Sequence, residues 1–203
     1  MGRKRTSESE RARQVVAQEA ARIIVTQGIR DYRVAKQKAA DRLGMKGHGA
    51  LPRNAEIEAA VADHHQIFNG EEHDTLLRLM RTAALSAMEL LNEFSPRLVG
   101  PVLIGSADEN SAVNLHVFAD SPEMVAMEIG DRGIYFRSYE RRLKTRHGQV
   151  EMYAGFEFNH QNEVIQATAF PIDGIRQAPL SPIDGKPMSR ADSNTVQRLL
   201  EHL

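Results

Sequence analysis

The sequence predicts an α+β chain in which an N-terminal helical domain packs on a mixed β-sheet with flanking helices. Three observations carry that reading. Up to Ser95-Pro96 the apolar residues recur at helical spacing, three to four apart. After that point they alternate or run in short blocks bounded by Gly, Pro, Asn and Asp, as strands do. A chain of 203 residues, 41% hydrophobic and 26% charged, is long enough to bury a core and has the composition of a soluble globular protein.

Taken in order, residues 1–8 read as a flexible basic tail and 9–95 as the helical domain. From Ser9 to Gln27, Ala12, Val16, Ala20, Ile23 and Ile24 fall on one helical face, and Gly28 is a natural stop. A second helix runs from about Asp31 to Leu43, closed by Gly44, and the Gly- and Pro-containing stretch GMKGHGALPR breaks the chain. Asn54 is placed to cap a third helix through Phe68, and Asp74 a fourth from Thr75 to Phe94. The fourth carries a wide apolar stripe of Leu76, Met80, Ala83, Ala84, Ala87, Leu90, Leu91 and Phe94.

Residues 96–203 read as an α/β domain with a Pro/Gly-rich C-terminal segment. A strand in LVGPVLIG leads to a Gly105-Ser106 turn and a second strand, VNLHVFA. Ser121 and Pro122 occupy the cap and first position of a helix that Gly130 ends. Three further strands follow in IYFRSYERRLK, VEMYAGFEFN and EVIQATAF, the first two joined at His147-Gly148. The segment DGIRQAPLSPIDGKPM is loop, stiffened by prolines and turned at Asp173-Gly174 and Asp184-Gly185. Its plainest role is to wrap the sheet and pin an edge. A short helix from about Ser193 follows.

Several function classes fall away on composition. No apolar run approaches the roughly 18–20 residues of a spanning helix, so no membrane partner is expected. With no cysteine there is no disulfide, thiol nucleophile or thiolate zinc site, and the cytoplasm is the default location. The net charge of −1 hides two basic stretches. Residues 1–46 hold twelve Lys/Arg against five Asp/Glu, and residues 132–147 hold six against Glu140 alone. Either could meet phosphate on a nucleotide or nucleic acid, or be a solvated face.

The chemistry is concentrated in VLIGSADENSAVNLHVFAD (102–120). A glycine after a strand lets backbone N–H groups turn toward a phosphate, and Ser106 adds a hydroxyl. Asn114 and His116, two apart, project from one strand face, where they could hydrogen-bond a base, ribose or phosphate, or simply be satisfied within the fold. Over about residues 98–170 this arrangement resembles the nucleotidyltransferases of polymerase-β-like fold. Gly105-Ser106 matches their Gly-Ser turn, and SAVNL (111–115) stands where they have Ser-Asp-Ile-Asp-Leu. The resemblance implies a triphosphate on the turn and two metal ions on carboxylates spaced i, i+2, with a third carboxylate from a nearby strand. Here Ala112 and Asn114 replace the pair, and Gln166, with Thr168 next on that face, takes the third place. Alanine cannot ligate, and amide oxygens are weak ligands for Mg²⁺. DGIRQAPLSPIDGKPM and GIRDYRVAKQKAADRLG also resemble segments of uncharacterised bacterial proteins of the same layout.

The resemblance therefore implies a catalytically degenerate protein with no metal site, binding a nucleotide, a nucleic-acid phosphate or a protein partner. Its binding residues would be Gly105, Ser106, Ser111, Asn114 and His116, with Arg142 and Lys144 from the basic strand. Two alternatives stand beside it. One is an active, Mg²⁺-dependent nucleotidyltransferase in which Asp108 or Glu109 supplies the missing ligands. The other is a nucleic-acid-binding regulator using Arg33, Lys36, Lys38 and Arg42. Those residues lie in helices that resemble the opening of a TetR-type domain but lack its short recognition helix after a tight turn.

Overall fold

The computed structural model describes residues 2–29, 31–45, 51–146 and 148–202. They form two compact units, Met1–Glu71 and Glu72–Leu203. The division falls at Glu71/Glu72 rather than at Ser95-Pro96, because a single long helix contributes to both units.

The first unit contains α1 (Gly2–Gln27), α2 (Tyr32–Arg42) and the opening part of α3 (Asn54–Leu90). Helix α1 includes residues 2–8, where a flexible basic tail is expected. Asp31 caps α2, its carboxylate accepting the N–H groups of Arg33 and Val34. The core between these helices is Val16, Ala17, Ala20, Ala21, Ile23, Ala35, Ala39, Ile57 and Val61. So many alanines let the helix backbones approach closely. Tyr32 donates its hydroxyl to Glu58 within this unit. At the start of α3 Asn54 is the first helical residue rather than the cap. Arg53 takes the cap position, and its N–H is accepted by Glu56 Oε2 at 2.6 Å, which is half of a capping box.

The expected third and fourth helices are one. Asn69-Gly70 and Asp74 do not interrupt α3. A glycine inside a helix costs only about 1 kcal/mol, too little to break one whose flanks are both helical. Of the GMKGHGALPR break, residues 46–50 lie outside the described residues, as does His147 of the expected hairpin.

The second unit is built on a sheet of order β1-β2-β5-β4-β3. Its strands are β1 (Arg97–Val99), β2 (Val113–Phe118), β3 (Phe136–Lys144), β4 (Val150–His160) and β5 (Glu163–Phe170). β2 and β5 pair in parallel, and every other neighbour is antiparallel. The strand expected through Ile104 stops at Val99. Gly100 (φ 74, ψ −154) adopts a conformation essentially restricted to glycine, and Pro101 then starts the one-turn helix α4 (Pro101–Ile104). Ser121 and Pro122 do open α5 (Pro122–Asp131), and Asp192 caps α6 (Ser193–Glu201).

One face of the sheet is apolar: Val113, Leu115 and Val117 of β2, Ile165, Ala167 and Ala169 of β5, and Phe156 and Phe158 of β4. It shares a core with Leu77, Met80, Ala84 and Met88 of α3, Leu91 just after it, Val125 and Ile129 of α5, and Val196 of α6. The C-terminal segment between β5 and α6 straps the sheet. Leu180 N–H bonds Lys144 O at 2.7 Å at the β3 edge, and Leu98 and Ala191 exchange bonds of 2.8 and 2.9 Å at the β1 edge. One piece of chain thus pairs both with β1 and with the C-terminal end of β3, which holds it across the sheet. No helix among the described residues is long and apolar enough to cross a membrane.

Gly155 on β4 is fixed by its neighbour. A Cβ built there would lie 2.2 Å from the Tyr139 ring, which crosses the glycine to reach Thr168 Oγ1 at 3.1 Å. Gly155→Ala is expected to destabilise the protein by about 1–3 kcal/mol, the usual cost of overpacking. Replacing Tyr139 by Ser in the same chain should recover part of that loss in urea-unfolding midpoints.

Candidate functional site

The face of the sheet opposite the core carries polar residues in registered rows. Asn114 on β2 stands opposite Gln166 on β5, Gln166 opposite Glu157 on β4, and Glu157 opposite Arg137 on β3. The next row is His116, Thr168, Gly155 and Tyr139. Alternation along four strands puts these side chains on one face.

A single hydrogen-bonded chain links the first row. Arg141, also on β3, donates from one terminal nitrogen to Asn114 Oδ1 at 2.9 Å and from the other to Gln166 Oε1 at 3.2 Å. Gln166 Nε2 donates to Glu157 Oε2 at 2.8 Å, and Arg137 donates to Glu157 Oε1 at 2.7 Å. Asn114 Nδ2 turns back to its own strand, donating to Ala112 O at 2.9 Å. The guanidinium of Arg141 therefore bridges two amide oxygens on adjacent parallel strands.

The second row is closed by the strap. Arg190 lies over the rings of Phe118 and Phe170, at 4.9 and 5.1 Å from their centroids. Its Nε donates to His116 Nδ1 at 3.0 Å, and one terminal nitrogen donates to Gly174 O at 2.7 Å and Ile175 O at 3.3 Å. Because Arg190 is always a donor, His116 accepts through Nδ1 and carries its proton on Nε2. Burial, followed by the charges of Arg190 and Arg141, holds His116 well below its ordinary 6.5, so the ring is neutral. Beside this cage lies a cavity of about 210 Å³ whose lining includes Arg146, Glu151, Tyr153, Phe170, Gly174 and Gln177. Tyr153 stacks on Phe170, donates to Glu151 Oε2 at 2.5 Å, and is pushed up to about 12, chiefly by burial.

The residues singled out from the sequence do not converge on this face. Asn114 and His116 share it, but Arg142 and Lys144 point to the opposite side of β3, exposed, while Arg141 takes the polar side. Gly105 and Ser106 close α4 instead of turning between strands. Their N–H groups both bond Pro101 O, at 2.8 and 3.1 Å, and Gly105 O accepts from His73 at 3.0 Å. The turn that follows a strand is at Gly100, where Asn114 Nδ2 lies 3.5 Å from the missing Cβ. Ser111 and Asp108 form a local turn, Ser111 Oγ donating to Asp108 Oδ1 at 2.7 Å. The same Asp108 oxygen accepts Asn110 N–H at 3.0 Å. Among the described residues no group of three His, Cys, Asp or Glu is placed to hold a metal ion.

Sequence reading weighs Arg141 with Arg142, Lys144 and Arg146 as a candidate phosphate groove but does not place it in the site, and it passes over Glu157 and Arg190. The alternation of β3 does separate Arg141 from Arg142 and Lys144, but not which side is the core. Arg190 is 74 residues from His116 and carries no local signal.

Two titrations follow. Folded His116 resists protonation while an unfolded histidine takes up a proton below about pH 6.5. Stability should therefore fall as pH drops below that value, by up to about 1.4 kcal/mol per pH unit for this one group. His116→Phe should flatten that dependence in urea midpoints measured from pH 7.5 down to about 5. Tyr153 acts in the other direction: its contribution is present below the unfolded tyrosine value near 10 and is lost as pH rises toward 12. Absorbance at 295 nm should show one tyrosine titrating near pH 12 that is missing in Tyr153→Phe.

Compared with protein-family models, with curated proteins and with solved structures, the chain matches none.

Proposed function

We propose that this chain is a non-catalytic protein of nucleotidyltransferase-like architecture that binds the phosphate of a nucleotide or nucleic acid without a divalent metal. The observation that supports it is the position of Arg141. The resembled family holds metal ions between carboxylates at the positions of Ala112, Asn114 and Gln166. Here Asn114 and Gln166 are neighbours in register, and a guanidinium donates to both. A fixed cation supplies the positive charge that a metal would otherwise bring to a phosphate, and its fork retains further N–H groups for an oxyanion. The half-buried setting strengthens such contacts relative to water. An enzyme using Asp108 has less support, because that carboxylate is already committed to Ser111 and Asn110.

Melting measurements against ATP, GTP and a short oligonucleotide, with and without Mg²⁺, test this reading. A ligand held at about 100 times its Kd stabilises by about 2.7 kcal/mol. The shift is expected to be independent of Mg²⁺ and lost in Arg141→Gln. No shift with any of these ligands overturns the proposal. Mg²⁺-dependent incorporation of labelled nucleotide, abolished by Ser106→Ala, would instead establish the enzyme.

A further inference from the structure

We propose that the outer edge of β3 is a docking site for an extended acidic peptide segment, which pairs there as an added strand of the sheet. β3 ends the strand order, with β4 on one side only. Its register with β4 runs without a bulge from Phe136–Phe158 to Lys144–Val150. Thr145 N–H bonds Gln149 O across the hairpin at 2.8 Å, whereas Lys144 O, one residue earlier, faces outward and accepts Leu180 N–H at 2.7 Å. Backbone groups alternate sides along a strand, so Phe136, Ser138, Glu140 and Arg142 also direct their N–H and C=O outward. Those groups have no hydrogen-bond partner among the described residues, and Ser138, Glu140 and Arg142 are exposed. Leu180 occupies only the end of this edge, at Lys144. The row that remains alternates donors and acceptors, and an extended backbone of about seven residues matches it.

Charge selects the partner. Along β3 stand Arg137, Arg141, Arg142 and Lys144 against Glu140 alone, and Arg146 follows in the turn. Arg137 is spent on Glu157, and Arg141 on the amide oxygens of Asn114 and Gln166. Arg142, Lys144 and Arg146 are exposed, and their side chains have no carboxylate partner among the described residues. Arg142 and Lys144 stand two apart on one face of the strand, so carboxylates at alternate positions of an added strand meet both. The same charges set like against like when two copies of β3 pair, which disfavours a second copy of this chain. A nucleic-acid phosphate offers acceptors only and leaves the outward carbonyls unmet. Backbone and charge together therefore favour an acidic strand.

This inference goes beyond the nucleotide reading and does not need it, because the outward groups of β3 are separate from the Asn114–Gln166 bridge. The probe is a capped peptide of alternating Glu and Val, about eight residues long, added to the full chain. A peptide of alternating Lys and Val is the control. The readout is the water exchange of single backbone amides by NMR. Ser138, Glu140 and Arg142 N–H should exchange fast in the free protein and slow by about tenfold or more as the acidic peptide saturates in the millimolar range. Arg137, Tyr139 and Arg141 N–H, already bonded to β4, should be slow throughout. Ser138→Pro deletes one outward donor at an edge position where proline is tolerated, and it should abolish the response. Replacing Arg142 and Lys144 together by Glu should abolish it as well. No slowing with the acidic peptide overturns the proposal, as does an equal response to the Lys–Val peptide or one that survives both variants. Slowing that grows with protein concentration alone would assign the edge to a second copy. A response to a short oligonucleotide but not to the peptide would assign it to nucleic acid. Either result overturns the acidic-strand site. Should Ser138→Pro fail to fold, the charge reversal and the two peptides decide.

Discussion

Polar side chains on a central strand oblige the fold to bring a partner to each of them. Asn114 and His116 occupy alternate positions of β2, flanked on both sides by paired strands. Buried polar groups are stable only when hydrogen-bonded, and the cost of failure exceeds the gain of an ordinary bond. The chain answers with two arginines from different places. Arg141 arrives along β3 and joins Asn114 to Gln166, while Arg190 arrives on the strap and meets His116. The outer face of the sheet is organised around these two guanidinium groups.

The two arginines sit in different surroundings, and that difference governs what each can do. Arg141 belongs to a network containing Glu157 and Arg137 and is half-buried. Arg190 is held between aromatic rings and backbone carbonyls, and it ties the strap down where the strap crosses from one sheet edge to the other. The strap therefore has two roles that reinforce each other. It pairs with β1 and with the end of β3, and it delivers the side chain that donates to Nδ1 of buried His116.

The second half of α3 completes the unit from the other side of the sheet. Its apolar stripe meets Leu115, Val117 and Ile165, and buried Arg81 donates to Val102 O, Leu103 O and Leu199 O. Those carbonyls are the unpaired ends of the one-turn helix α4 and of α6, so one arginine serves two helix termini. Buried Ser106 and half-buried Gly105 lie beside this arrangement, their backbone donors spent on closing α4.

Much of this was legible along the chain. The change of texture after Ser95-Pro96, the apolar stripe of α3, the Ser121-Pro122 helix start, the strands of β2 to β5, and the edge-pinning role of the C-terminal segment all follow from local periodicity and turn chemistry. Local pattern also placed Asn114 and His116 on one face and set Arg141 apart from Arg142 and Lys144. It misread the stretch 102–106 as strand and turn, because Val and Ile favour strands until Gly100 and Pro101 reset the backbone. It also divided α3 near Asn69-Gly70, where the small cost of one glycine between two helical flanks leaves the helix unbroken. Which face of β3 looks toward Asn114, and which distant residue satisfies His116, are decided by strand order and by the path of the strap. Those are long-range pairings, and no periodicity within one segment encodes its partner in another. The sequence by itself determined which groups needed partners; only the tertiary structure decided that arginines would supply them.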